Sequence, residues 1–317
     1  MPKLGCSTRL IIGVTILLLL LFLVGLVGGA IGSTLVGESP LSFIKIEKPH
    51  IELPAEPISK PLFGGFSLTN TLIASWFSII FLAAFFYLAT RKMKLIPGRL
   101  QSMAETIVEW LFNFVKGAAG EKQGRKFLPA VATIFLFVIT NAYLALLPFF
   151  GPSLVVGEGV PLFRNANTDI NMPLAFAIMS FIFVEFIWGM RALGFFRYLG
   201  QFFNVGQLFG GIKQLFRGKI RPAFMNIILG FINLFVGGLE ALSHLIRLVS
   251  FTFRLFGNMT AGEVLLLVSC FLVPWILAIP FYGLELLIGF IQALIFAGLT
   301  LAFAMIAIAP HAEEREI

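Results

Sequence analysis

Charge is scarce in this chain. Asp, Glu, Lys and Arg make up 12% of its 317 residues, against about a quarter in an ordinary soluble domain. That deficit excludes a water-soluble globule and leaves no room for a separate soluble domain. Cysteine is scarcer still. Cys6 and Cys270 are the only two, so there is no disulfide framework and no metal-ligand spacing. Both read as structural, the common state of a free cysteine, and no metal or cofactor is expected. The sequence has no glycine-rich loop closed by Lys-Ser or Lys-Thr, which excludes a phosphate-cradling nucleotide site of its own. It has no internal repeat either, and so lacks the architecture common in secondary transporters.

What fills the chain instead is apolar. Hydrophobic residues are 58% of the total, with 37 phenylalanines, arranged in long runs. A bilayer core of ~30 Å takes about 20 apolar residues per helix. The expected fold class is therefore an all-α polytopic membrane protein with about five to six membrane helices. The formal charge of +7 would raise nucleic acid as a partner in a soluble protein. Here the basic residues cluster in short loops beside apolar runs, so they report topology and membrane lipid, and no nucleic-acid partner is expected.

Three regions follow. Residues 1–36 carry Lys3 and Arg9 ahead of an apolar run at 10–31, which reads as an N-terminal anchor or signal-like helix. Residues 37–66 are polar and rich in proline, and read as an extracytoplasmic segment with little regular structure. Residues 67–317 form the membrane domain. Its spans are expected at 68–90, 127–150 and 172–195, with an amphipathic helix at 97–120 lying along the membrane interface or packed on protein. Residues 191–221 hold six basic side chains and no acid. By the positive-inside rule this loop is cytoplasmic, which puts both termini inside as well. From Pro222 to Val273 there is no proline. One helix there would reach ~70 Å at ~1.5 Å per residue, so it must break, tilt steeply, or both. A turn with Pro274 and Pro280 leads to a last long helix at 281–309, and the two form a hairpin.

Ionisable residues inside a membrane are costly and are functional candidates by default. The set here is Glu185, Glu240, His244, Arg247, Arg254, Glu263 and Glu285, with Asn258 and Gln292 as polar company. Glu240, Arg247 and Arg254 are seven apart and share nearly one helix face. Arg247 is expected to be offset by Glu240 and His244 on that face, directly or through water. Arg254 has no acid three or four residues away, and Glu263, nine residues on, points to the opposite side. Its partner must come from another helix or another chain. Glu285 and Gln292, seven apart, mark one face of the last helix, where Glu285 and Glu263 could share a water-filled cavity. A carboxyl group kept from bulk water can hold and release a proton near neutral pH. Gly257 and Gly262 flank Asn258 and would admit a close neighbour. Glu185 pairs with Arg191 or lines a cytoplasmic vestibule.

RLFGNMTAGE (254–263) resembles the signature of subunit a of the membrane sector of F-type ATP synthases. LEALSHLIRLVSFTF (239–253), LLIGFIQALIF (286–296), TDIN (168–171), PAEP (54–57) and GGFSLTNTLIASW (64–76) resemble further parts of the bacterial family, so that the resemblance covers most of 54–309. It implies a non-catalytic, proton-translocating stator in a bacterial inner membrane, partnered by a ring of c subunits, peripheral-stalk b subunits and the rest of the synthase. Arg254 matches the arginine that faces the ring. Asn258, Glu263 and Gln292 match residues lining aqueous half-channels, and Glu285 stands where some members have histidine. Glu240, Ser243 and His244 match a polar cluster on the cytoplasmic access path. Asp169 and Asn171 match positions near the external entrance. The residues alone also admit a stand-alone secondary transporter or channel.

Overall fold

The computed structural model describes residues 4–36, 54–58, 67–147, 155–156, 160–190, 194, 209–210, 220–274 and 276–308. Most of the proline-rich segment 37–66, most of the basic loop 191–221 and the C-terminal HAEEREI lie outside the described residues, and so do the expectations placed on them.

Among the described residues six helices are long and apolar enough to cross a membrane. This agrees with an all-α polytopic membrane protein, and the only strands described are a two-residue antiparallel pair. Helix α1 (Leu4–Gly28) and α2 (Ala30–Val36) replace the single run expected at 10–31. Helix α3 (Asn70–Thr90) starts where the Thr69 hydroxyl accepts the Leu72 N–H at 3.3 Å, an N-cap contact. Helix α4 (Arg99–Ala145) combines the expected amphipathic helix and the following span. Its two limbs meet at Gly120, whose φ of 73° is left-handed and costs glycine nothing. The limbs run back along each other, with Trp110 and Phe135 ring centroids 5.4 Å apart. Glu121 just past the turn bonds Lys116 and Arg125, each at 3.0 Å.

The β1 (Val155–Val156) and β2 (Val160–Pro161) pair precedes a 3-10 turn at Ala166–Thr168. Helix α5 (Asn171–Phe181) tolerates Pro173 because it falls in the first turn, where no intrahelical donor is needed. It continues without a break as a π-helical segment, Ile182–Gly189. Helix α6 (Ile220–Leu272) is one unbroken element of 53 residues. Of the two outcomes expected, a break or a steep tilt, the break does not occur. At ~1.5 Å per residue it rises about 80 Å. Helix α7 (Ala278–Ile308) begins before Pro280 instead of after it, since proline is acceptable in a first turn.

The chain divides into two compact units. The first comprises Met1–Phe81, Val138–Asp169 and Phe256–Gln292; the second comprises Leu82–Phe137, Ile170–Leu255 and Ala293–Ile317. Antiparallel pairing of α6 with α7 is visible in each. In the first, Gly262 lies against Glu285. In the second, Phe251 stacks on Phe296 (4.9 Å) and Phe303 (5.7 Å). This is the hairpin the sequence suggested. The second unit's core gathers Leu111, Val115, Phe127 and Val131, each at most 1% exposed.

Candidate functional site

The first unit holds a polar cluster enclosed by apolar helices. It starts in the loop before α5. The Asn165 side chain accepts the Asn167 N–H at 3.0 Å, and the Thr168 hydroxyl donates to the Asn165 carbonyl at 2.8 Å. This fixed turn holds Arg164 on one side and Asp169 on the other. Arg164 is almost fully buried, and its Nε donates to both carboxylate oxygens of Glu263, at 3.1 and 3.2 Å. Its Nη1 donates to the Pro54 carbonyl at 3.1 Å. Asp169 accepts from the Thr71 hydroxyl at 3.2 Å, and Asn70 donates to Glu56 at 3.1 Å. The segment around Pro54–Glu56 is thereby tied to a residue of the signature helix.

Glu285 is buried and packs on Gly262 so closely that a Cβ there would overlap its carboxylate. Among the described residues it makes no hydrogen bond or ion pair. Gln292, two turns along the same face of α7, is also buried. Asn141, Asn167 and Thr260 belong to this unit too, and their side-chain polar atoms are buried without a protein partner among the described residues. Buried polar groups of this kind are normally satisfied by water. The glycine expectation is thus half met. Gly262 receives a carboxylate instead of another backbone, and Gly257 has nothing within 4 Å.

The second unit contains the other group of ionisable side chains. His244 Nδ1 lies 2.5 Å from Glu185 Oε1, and Arg247 Nη1 lies 3.6 Å from the same oxygen. The Arg247 guanidinium also stacks over the Phe303 ring at 3.7 Å, a cation–π geometry. Arg247 and His244, which the sequence placed together on one helix face, both reach an acid on another helical segment, Glu185. The expected Glu185–Arg191 pair lies outside the described residues. Packing across helices decides this, since spacing along one helix sees only neighbours three or four residues away.

Arg254 is half-buried, and among the described residues it makes no hydrogen bond or ion pair; the Phe251 ring lies 6.0 Å away. Asn258 and Ser243 are exposed, Glu240 is partly exposed, and Asn171 is exposed at the start of α5. Around Arg254, α6 bares Phe231, Phe235, Leu239, Leu242, Ile246, Val249 and Phe253, each at least half exposed, spaced by three or four residues as one helical stripe.

Sequence reasoning passed over Arg164. One signal was available: it is the only basic residue between Gly151 and Asn171, directly ahead of the TDIN motif. A loop charge is ordinarily solvated, and nothing in the sequence announces that this loop folds inward.

Six apolar spans with ionisable groups enclosed among them define a multi-pass membrane protein organised around buried charge. The family model described as the ATP synthase A chain matches residues 72–305. A protein named ATP synthase subunit a from Campylobacter concisus is 33% identical over 229 residues, 71% of this chain and 84% of that protein. One of the same name from Moorella thermoacetica is 29% identical over 240 residues, 76% of this chain and 91% of that protein. Another, from Campylobacter jejuni strain RM1221, is 34% identical over 217 residues, 68% and 80% of the two chains. The chain belongs to the ATP synthase A chain family.

Proposed function

We propose that this chain is the proton-translocating stator of an F-type ATP synthase. In this reading it offers two aqueous half-channels that deliver protons to, and collect them from, carboxyl groups on a rotating c ring. The polar cluster of Asp169, Arg164, Glu263, Glu285 and Gln292 is the external half-channel. Glu240, Ser243 and His244 belong to the cytoplasmic one. The chain sits in a bacterial inner membrane with both termini inside, held beside the ring by peripheral-stalk b subunits.

The observation that carries this reading is Arg254: a guanidinium without a described partner, placed beside an exposed apolar stripe that runs from Phe231 to Phe253, about six turns at ~3.6 residues each. A ring carboxyl must be neutral to pass through lipid. On meeting Arg254 it is favoured in its ionised form and releases its proton. Arginine stays charged throughout, since its pKa exceeds ~12, and so it also bars a direct leak between half-channels. A potential of ~100 mV supplies about 2.3 kcal/mol per charge moved. The exposed stripe, with open Gly257 and exposed Asn258 and Ala261 following Phe253, supports docking of a tightly packed partner helix.

The test is Arg254→Ala in the assembled complex. ATP synthesis driven by a proton gradient is expected to disappear while the complex still co-purifies. Normal synthesis would overturn the reading, and so would proton transport by the purified chain without any ring, which is what a stand-alone channel would do.

A further inference from the structure

We propose that Glu185 and His244 form a proton-transfer station, an acid–imidazole pair that carries one proton across the Oε1···Nδ1 contact, with Arg247 as the positioning residue for the carboxylate. This rests on the half-channel reading above and adds to it a proton acceptor on the π-helical segment that follows α5, and the step by which the proton moves.

Four independent features place the pair. First, Glu185 lies within a span of hydrophobic residues and its side chain is 5% exposed, so the carboxylate is kept by design and not by default. An ion pair of this kind is replaceable by well-packed apolar residues without loss of stability, and packing alone therefore gives no reason for it. Second, the helix changes pitch where Glu185 sits. The Met190 N–H bonds to the Glu185 carbonyl, five residues back, in the π-helical segment Ile182–Gly189. Such segments are rare and concentrate at functional sites. Third, Glu185 Oε1 and His244 Nδ1 are in direct hydrogen-bond contact, so a proton can pass between them without an intervening group. Fourth, a narrow, partly open gap adjoins Glu185, lined also by Ser180, Arg247 and the rings of Phe181, Phe251 and Phe303.

The groups around the pair define its chemistry. From α6 come His244 and Arg247, with Glu240 one turn earlier. From the π segment comes Glu185. From α7 come Phe303, which carries no proton, and Thr300. The Thr300 hydroxyl donates to the Phe296 carbonyl at 2.8 Å, so the Ser180 hydroxyl, 2.7 Å away, must donate to it. Ser180 then has lone pairs left as acceptors. Arg247 lies between Glu185 and the Phe303 face.

The step balances simply. A proton delivered to the Glu185 carboxylate forms an O–H bond. Transfer along the short contact breaks that bond and forms N–H at Nδ1, leaving carboxylate and imidazolium. Loss of the other imidazolium proton, from Nε2 to water, leaves neutral imidazole protonated at Nδ1, and exchange of that proton back to Nε2 through water restores the starting tautomer. One proton enters and one leaves, with no redox partner. In the reverse direction the same bonds form and break in the opposite order.

The experiment uses the whole synthase in inverted membrane vesicles, comparing wild type with Glu185→Gln, His244→Gln, the double variant carrying both, and the exchanged pair Glu185→His/His244→Glu. Readouts are ATP-driven proton pumping, passive proton conductance after removal of the catalytic head, and the ratio of conductance in H2O to that in D2O. Each single variant is expected to lower conductance at least tenfold and to alter the isotope ratio, the double Gln variant to be no worse than either single one, and the exchanged pair to regain at least a third of wild-type conductance. Conductance within twofold of wild type in either single variant would overturn the station. Should one single variant fail to assemble, the exchanged pair decides: assembly without conductance overturns it, and assembly with conductance supports it. If wild-type vesicles themselves conduct no protons, the half-channel reading fails, which is a separate outcome.

Discussion

Replacing Arg164 with glutamine removes the only cation placed on Glu263 among the described residues. The cost can be worked from the contacts. Nε donates to both Glu263 oxygens, at 3.1 and 3.2 Å, which is one bifurcated bond to a charged acceptor. Hydrogen bonds to charged groups contribute about 1.5–3 kcal/mol. Breaking a fully buried pair costs about 3–5 kcal/mol, but the Glu263 side chain is 29% exposed, so water recovers part of that. The Nη1 bond to Pro54 adds about 1 kcal/mol. Glutamine can replace one of these bonds. The net expectation is a loss of about 2 kcal/mol, which lowers the share of molecules holding Glu263 in its observed position by about 30-fold relative to alternatives. Proton pumping by vesicles carrying Arg164→Gln should fall by roughly tenfold or more, the complex should melt several degrees lower, and Arg164→Lys should be intermediate because it keeps charge without the fork geometry. Exchanging the pair, Arg164→Glu with Glu263→Arg, should recover part of the thermal stability. Pumping and melting of Arg164→Gln equal to wild type would refute the reasoning.

Further outcomes follow from the same contacts. Gly262→Ala places a methyl group on the Glu285 carboxylate; proton conductance should collapse, and shortening the opposing side chain with Glu285→Asp should restore part of it. Gly120→Ala meets no atom within 4 Å but must hold a φ of 73°, which costs about 1–2 kcal/mol; a lower melting temperature with unchanged specific pumping is expected from differential scanning calorimetry and vesicle assays. Ser180→Ala removes a buried hydroxyl that donates to Thr300 and should cost about 1 kcal/mol in thermal unfolding, since Thr300 keeps its own bond to Phe296.

Much of the fold was legible because lipid and backbone chemistry leave few options. Apolar runs of membrane length must be helices, and their number and order appear in the structure as they do in the sequence. Boundaries moved where a local rule allowed two outcomes. Pro280 and Pro173 are tolerated because they fall in first turns, and Gly120 folds two expected elements into one helical hairpin. Nothing in the one-dimensional pattern shows that α6 stays unbroken for 53 residues: low propensity for a break does not measure what packing will hold together. The π-helical turn at Glu185 is equally silent, since no residue type encodes a change from four- to five-residue bonding.

The sequence by itself determined that the protein is a membrane helix bundle, that ionisable residues fall within the apolar runs of its last two long helices and at Glu185, and that Arg254 has no acid within reach along its own helix. These follow from composition and from the 3.6-residue period, which are local quantities. Only the tertiary structure decided the partners: Arg164 for Glu263, Glu185 for His244 and Arg247, and Gly262 for Glu285. Each joins residues far apart in the chain, and Coulomb attraction and hydrogen bonding act over a few ångströms of space without regard to sequence distance. Periodicity can say which way a side chain points from its own helix. What it meets there is set by packing.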